Sequence, residues 1–264
     1  MRYQRVAALS AGVALAAGVA VAIAGTPFGG DDTGTVPDPS HKATLKCEQS
    51  IDKAVGKAVG CIGKCTASRA SGKLADDTAE DNCEKNNAGK GCTELFKAAA
   101  AKAQTKDPSG GCNCVNAGTI ATLTEAVLDG QNNTVYCDPT SGTPFGGDDT
   151  GFIPVPKSPT AACEAAVAKA VSKAVGCVIK CHASRASGKF ADDAAEDACE
   201  KASVPAGKSC LEKFQAGVTK AQSKDTSGGC GCINGATLAG TIETTLDTGN
   251  GLSWCGSPSG AFVE

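Results

Sequence analysis

"KAVGKAVGCIGKCTASRASGK" at Lys53–Lys73 and "KAVSKAVGCVIKCHASRASGK" at Lys169–Lys189 are two versions of one segment, and their likeness decides how the whole chain is read. The match extends outward from both. Cys47, Cys61, Cys65, Cys83, Cys92, Cys112, Cys114 and Cys137 are answered by Cys163, Cys177, Cys181, Cys199, Cys210, Cys230, Cys232 and Cys255. Every successive gap agrees except one: Cys83–Cys92 is two residues shorter than Cys199–Cys210. An insertion within a helix would rotate one face, so "KNNAGKGC" against "KASVPAGKSC" is expected in a loop. The chain reads as a tandem duplication, which has to be settled before any local element. Each unit has a linker-like head (25–46 and 143–162) and a cysteine-bearing body (47–142 and 163–260), with a short tail at 261–264. The stretch "TPFGGDDTG" opens both heads, at Thr26–Gly34 and Thr143–Gly151.

Within a body the apolar period is helical. Cys47, Ile51, Ala54, Ala58, Cys61 and Cys65 fall on one face, and Lys53, Lys57 and Lys64 on another. Gly72 marks a C-terminal stop. A second helix begins at Asp77, with Glu80 three residues on in a capping-box pattern that Asp193 and Glu196 repeat. A third starts near Cys92, carrying Leu95, Phe96, Ala99 and Ala103; its partner carries Leu211, Phe214, Val218 and Ala221. "DPSGGCNC" and "DTSGGCGC" are turns. A fourth helix covers Thr119–Leu128. The expected fold is all-α: two copies of a small, disulfide-stapled module of about four helices, joined by an irregular Pro/Gly/Asp linker.

Composition points to export. Met1, Arg2 and Arg5 precede an uncharged run, Val6–Ala24, which closes on Ala22-Ile23-Ala24, a small-x-small cleavage pattern. Residues 1–24 therefore read as a cleaved signal peptide rather than a retained anchor, and the Ala-rich run leans toward a bacterial, secreted or periplasmic protein. Removing them takes Lys+Arg from 25 to 23 against 28 Asp+Glu, a net charge of −5 with the signs interspersed. That argues against a nucleic-acid partner, which calls for a basic face. After the signal, no apolar run is long enough to span a membrane. Aromatic residues are 4% of the chain and the sole Met is the first residue, so a core of Ala and Val buries little area per residue. Sixteen cysteines in an exported chain read as eight disulfides, four per body. Packing the first two helices antiparallel about Gly72 sets Cys65 opposite Cys83, and Cys181 opposite Cys199; the other pairings stay open.

Sharper chemistry finds little support in the residues. "CVIKCH" at Cys177–His182 resembles the haem attachment motif of cytochromes c with one residue added, but the first copy reads "CIGKCT", with Thr66 in the ligand's place. Structural zinc on the CxxxC and CxC pairs would need free thiolates, which export disfavours. An EF-hand centred on Gly72 fails, because Ala67, Arg69 and Ser71 stand where oxygen ligands belong. Asp76-Asp77 and Asp192-Asp193 read as helix-start residues. The "GGDD" pairs, Asp31-Asp32 and Asp148-Asp149, read as solvated turns, with a linker-borne calcium site as the less favoured reading. The CxxxC spacing resembles that of α-hairpinin peptides, but the second CxxxC is missing; the gaps after Cys83 and Cys199 are not those of twin CX9C proteins.

No catalytic, cofactor-binding or metal-ligating set is assigned. The expected role is structural or protein-binding, without catalysis or cofactor; a protease inhibitor or toxin-like effector is the second reading, and a metal or haem carrier the third. Phe28 and Phe145, repeated in a chain poor in aromatics, are the docking candidates. Phe145 is expected to dock within the chain, leaving Phe28 free for another copy, so that self-association would run head to tail.

Overall fold

A computed structural model describes residues 26–38, 40–85, 88–140, 142–202 and 205–256. The expected signal peptide and the tail at 261–264 lie outside them. The fold is mostly helical, and one order of elements occurs twice. The first half runs β1 (Thr26–Gly29), β2 (Asp32–Val36), α1 (Lys42–Ala70), α2 (Asp77–Glu84), α3 (Cys92–Gln104) and α4 (Ala117–Gln131). The second runs β3 (Thr143–Gly146), β4 (Asp149–Ile153), α5 (Pro159–Ala186), α6 (Asp193–Glu200), α7 (Cys210–Gln222) and α8 (Gly235–Gly249).

Local chemistry sets the helix limits. α1 stops where Gly72 adopts a φ of +74°, a conformation open to glycine at little steric cost. α5 starts with Pro159 after Ser158, whose hydroxyl accepts a hydrogen bond from the Ala161 amide at 3.0 Å. Both long helices thus begin ahead of their first cysteine and take residues from the expected linkers. α2 and α6 start at the expected Asp77 and Asp193, but their caps are Asp76 and Asp192, which accept from the amides of Ala79 and Ala195. Glu80 and Glu196 do not close a capping box. Their carboxylates point inward and are buried. In α3, Phe96 is buried while Leu95 faces solvent.

The heads are not irregular linkers. Each forms an antiparallel hairpin, with Gly29 paired to Asp32 and Gly146 to Asp149 across two-residue turns. Gly29, Gly30, Gly146 and Gly147 all have positive φ, so the Gly-Gly-Asp-Asp segment turns too tightly to show a period-2 signal. The hairpins cross over. β1–β2 docks on the second half: Thr33 Oγ1 donates to the carbonyl of Asp247 at 3.0 Å, and the Thr35 amide donates to that of Trp254 at 2.8 Å. β3–β4 docks on the first half through the same bonds, Thr150 Oγ1 to Asp129 and the Phe152 amide to Tyr136, both at 2.9 Å. Gly34 and Gly151 allow the close approach, since a Cβ there would lie 2.7 Å from the Trp254 carbonyl oxygen and 2.6 Å from that of Tyr136.

This exchange revises the assembly expected of Phe28. Phe145 packs on Tyr136 of the first half, with ring centroids 5.3 Å apart. Phe28 is not left free: it is 1% exposed and packs against Trp254 and Ala186 of its own chain. The contact closes within one molecule because both hairpins have a complementary surface in reach.

Eight disulfides join all sixteen cysteines. Three lie within each half: Cys47–Cys112, Cys61–Cys92 and Cys65–Cys83, then Cys163–Cys230, Cys177–Cys210 and Cys181–Cys199. The remaining two, Cys114–Cys255 and Cys137–Cys232, cross between the halves. The expected count of four per body is therefore three plus two shared. α1 and α5 pack against each other along small residues, Gly56, Gly60 and Gly63 meeting Ser172, Gly176 and Ile179. The largest core cluster draws on both halves, from Val59, Val135 and Tyr136 to Phe214 and Ile242.

Candidate functional site

Hairpin exchange has two chemical consequences, a cleft and a pair of buried carboxylate clusters. The cleft lies between the halves and encloses about 420 Å³. α1 and α5 supply Val59 and Val175, α4 supplies Leu123 and Val127, and α8 supplies Ile242 and Leu246. Leu123 and Val127 are 45% and 37% exposed, although they stand on the apolar face of α4. Threonines alternate with these aliphatic residues, and among the described residues no Lys or Arg lines the cleft.

The first cluster sits where hairpin β3–β4 meets the first half. α2 carries Glu80 and Glu84 one turn apart on its inward face, α4 carries Asp129, and the hairpin brings Asp149, the second acid of its "GGDD". Burial pushes the carboxyls up, Glu84 to about 10, Glu80 and Asp129 to about 8 and Asp149 to about 6; the crowding of neighbouring acids reinforces the rise for Glu84, Glu80 and Asp129. Both oxygens of Glu80 and of Asp129 are buried; Glu80 faces Asp149, and Asp129 faces Glu125. Lys85 stands outside, bridging Asp81 at 3.0 Å, Asp148 at 2.8 Å and Glu125. Thr66 of α1 faces Glu80 from the other side.

The second cluster is its counterpart where β1–β2 meets the second half. Asp32, Glu196, Glu200 and Asp247 take the places of Asp149, Glu80, Glu84 and Asp129, and Lys201 bridges Asp31, Asp197 and Glu243 outside. One position differs in kind: His182 of α5 stands where Thr66 stands in α1. Its Nε2 lies 3.1 Å from Glu200 Oε1, 3.3 Å from Asp32 Oδ1 and 3.4 Å from Asp247 Oδ1. Burial opposes a charge on this imidazole, but the Asp247 and Glu200 carboxylates outweigh it and hold the ring's pKa well above the usual histidine value. Burial raises Asp32 to about 7 and Glu196 to about 8. Asp52 of α1 lies beside this cluster, also buried and also raised to about 7.

Of the residues singled out from sequence, the cysteines and both phenylalanines serve as braces. Cys177 and Cys181 are bonded to Cys210 and Cys199, so "CVIKCH" has no thiol to attach haem, and the CxxxC and CxC pairs have none for zinc. The "GGDD" acids divide their work: Asp31 and Asp148 hold the outer lysines, whereas Asp32 and Asp149 enter the clusters. Sequence reasoning missed Glu80, Glu84, Asp129, Glu196, Glu200, Asp247 and the role of His182. One signal was available, an acidic pair four residues apart in a short helix of both copies.

No protein-family model, curated protein or solved structure matches this chain.

Proposed function

We propose that this chain is an exported, disulfide-braced binding protein without catalysis, built from a duplicated module, whose ligand is an uncharged, predominantly apolar small molecule held in the cleft between the halves. Eight disulfides, and no helix among the described residues long and apolar enough to cross a membrane, are compatible with an extracellular or periplasmic location. The observation that carries the ligand is the cleft itself. About 420 Å³ between helices, walled by aliphatic side chains with scattered hydroxyls, is the size and character of a small-molecule site. Among the described residues no Lys or Arg stands in the wall, and the imidazole of His182, which does line it, is turned onto the carboxylates of its own cluster. The cleft therefore offers a fatty-acid carboxylate no free counter-charge, which favours a neutral ligand.

Titration with the neutral fluorophore N-phenyl-1-naphthylamine tests this. Saturable binding is expected at one site per chain, with an anionic naphthalene sulfonate binding more weakly. Leu123→Lys with Val127→Lys places two ammonium groups at the mouth of the cleft and should weaken binding of the neutral probe by about tenfold or more, with the far-ultraviolet spectrum unchanged. Probe binding that does not saturate, or that ignores both substitutions, rules the cleft out.

A further inference from the structure

The cluster around His182 has the geometry of a coordination shell. Four carboxylates and one imidazole come from four separate elements, β2, α5, α6 and α8, and gather in two overlapping triads about the His182 ring. Ligand atoms of Asp32, His182 and Glu196 all lie within 4.8 Å of one another, as do those of His182, Glu200 and Asp247. The His182 Nε2, on a residue 1% exposed, aims between three carboxylate oxygens and shares that one ring nitrogen among all of them. Both oxygens of Glu196, and the second oxygens of Glu200 and Asp247 that do not face the imidazole, are buried without a hydrogen-bond partner. Neighbouring ligands of a first-row metal ion, each about 2.1 Å from it, stand about 3.0 Å apart in an octahedron and about 3.4 Å apart in a tetrahedron. The distances of 3.1, 3.3 and 3.4 Å from His182 Nε2 to its three carboxylate oxygens fall in that range.

We propose that Asp32, His182, Glu196, Glu200 and Asp247 bind one divalent first-row transition-metal ion. An imidazole nitrogen among carboxylates selects such an ion over calcium or magnesium, which prefer oxygen alone. Four carboxylates buried around one imidazole cannot all ionise there without further positive charge, which a divalent ion supplies. Asp32 reaches the site only when the β1–β2 hairpin is docked, so the metal also fastens the first head onto the second half.

The competing reading makes His182 an imidazolium counter-ion with no metal, and the nitrogen resonances of the ring separate the two. The chain has only two histidines, and His41 lies outside the cluster as an internal reference. With tag-free, imidazole-¹⁵N-labelled full chain, Zn²⁺ should bind at one equivalent and move the His182 Nε2 resonance from the protonated to the metal-bound range, leaving His41 in place. A His182 that keeps its imidazolium resonances in saturating Zn²⁺ overturns the proposal, as does the absence of micromolar binding. His182→Thr copies the residue that the first half already accommodates at this position. It should lower affinity for Zn²⁺ or Co²⁺ by about a hundredfold or more while retaining all eight disulfides; unchanged affinity also overturns the assignment.

Discussion

Replacing Phe28 with Ala should undock the first head while leaving the helices standing. Phe28 is 1% exposed and lies 5.6 Å from Trp254 and 6.2 Å from His182, ring centroid to ring centroid. Returning that side chain to water forfeits ~2.5 kcal/mol of transfer free energy. A residual cavity on the order of 50 Å³, at ~24 cal/mol per Å³, adds about 1 kcal/mol, and the lost ring pair ~0.5 kcal/mol more. The sum, about 4 kcal/mol, falls on a hairpin of only nine strand residues. The helices keep their disulfides, so the loss should appear as local opening. Trp254 is the only tryptophan and is fully buried, which makes it the reporter. In a urea titration of Phe28→Ala, Trp254 emission should move to the red well before the helical signal falls. In the wild type the two should change together. Phe145→Ala removes the equivalent ring from the other hairpin, and should destabilise without touching Trp254 emission at low urea. A Phe28→Ala protein with native emission and a stability loss under about 1 kcal/mol would refute the docking energetics argued here.

Two further outcomes test the crossed architecture. Lys157 lies exposed between β4 and α5, so limited trypsin should cut there, and the two pieces should stay together on a non-reducing gel through Cys114–Cys255 and Cys137–Cys232. Separation without reductant would show that those pairs do not cross. Stability should also fall as pH rises from 5 to 9. Glu48 accepts from the amides of Cys255 and Gly256 at 3.1 and 2.7 Å, and Glu164 lies in the same relation to Cys137 and Asp138. Burial raises their carboxyls to about 8 and about 7, with Asp107 and Asp52 adding to the rise at Glu48, and Asp138 and Asp225 at Glu164. A carboxyl raised on folding stabilises fully below its unfolded value near 4.5 and loses that contribution as pH passes through the folded value, here on the order of 3 to 5 kcal/mol per group. Glu48→Gln should flatten the decline in denaturant midpoints measured at pH 5, 7 and 9; an unchanged slope would show that Glu48 does not titrate in this range.

Much of the helical frame was legible because its causes are local. The Gly72 stop, the start of α2 at Asp77 and the opposition of Cys65 to Cys83 all follow from spacing within about twenty residues. The hairpins were hidden because four glycines and four aspartates in two short turns carry no alternation of apolar and polar positions. The crossing disulfides were hidden for another reason: they join residues 141 and 95 positions apart, where only tertiary packing decides. The clusters lay behind both obstacles. Glu80 satisfies a capping pattern in sequence, but the cap falls on Asp76, which leaves Glu80 one residue past the reciprocal position, and Asp149, from a hairpin sixty-nine residues on, lies opposite its inward face. Thr66 in the place of His182 counted against haem, because the first copy lacks the ligand. In the folded chain the same difference marks where two equivalent clusters diverge.

That divergence bears on why the chain is double. Each cluster takes its final carboxylate from the hairpin of the opposite unit, with Asp32 serving the second half and Asp149 the first. The bonds that seat the hairpins are the same on both sides, from the threonine hydroxyls to the outer lysines. Such reciprocity is what two single-unit chains would make about a two-fold axis, each lending its head to the other. Joining the units in one chain keeps that geometry while freeing the two sites from identity. A symmetric dimer would carry either two histidines or none, because one gene position would fill both places. A single chain can place an imidazole in one cluster and a threonine in the other, with Cys114–Cys255 and Cys137–Cys232 bracing the halves around a cleft that Thr66 and His182 both line.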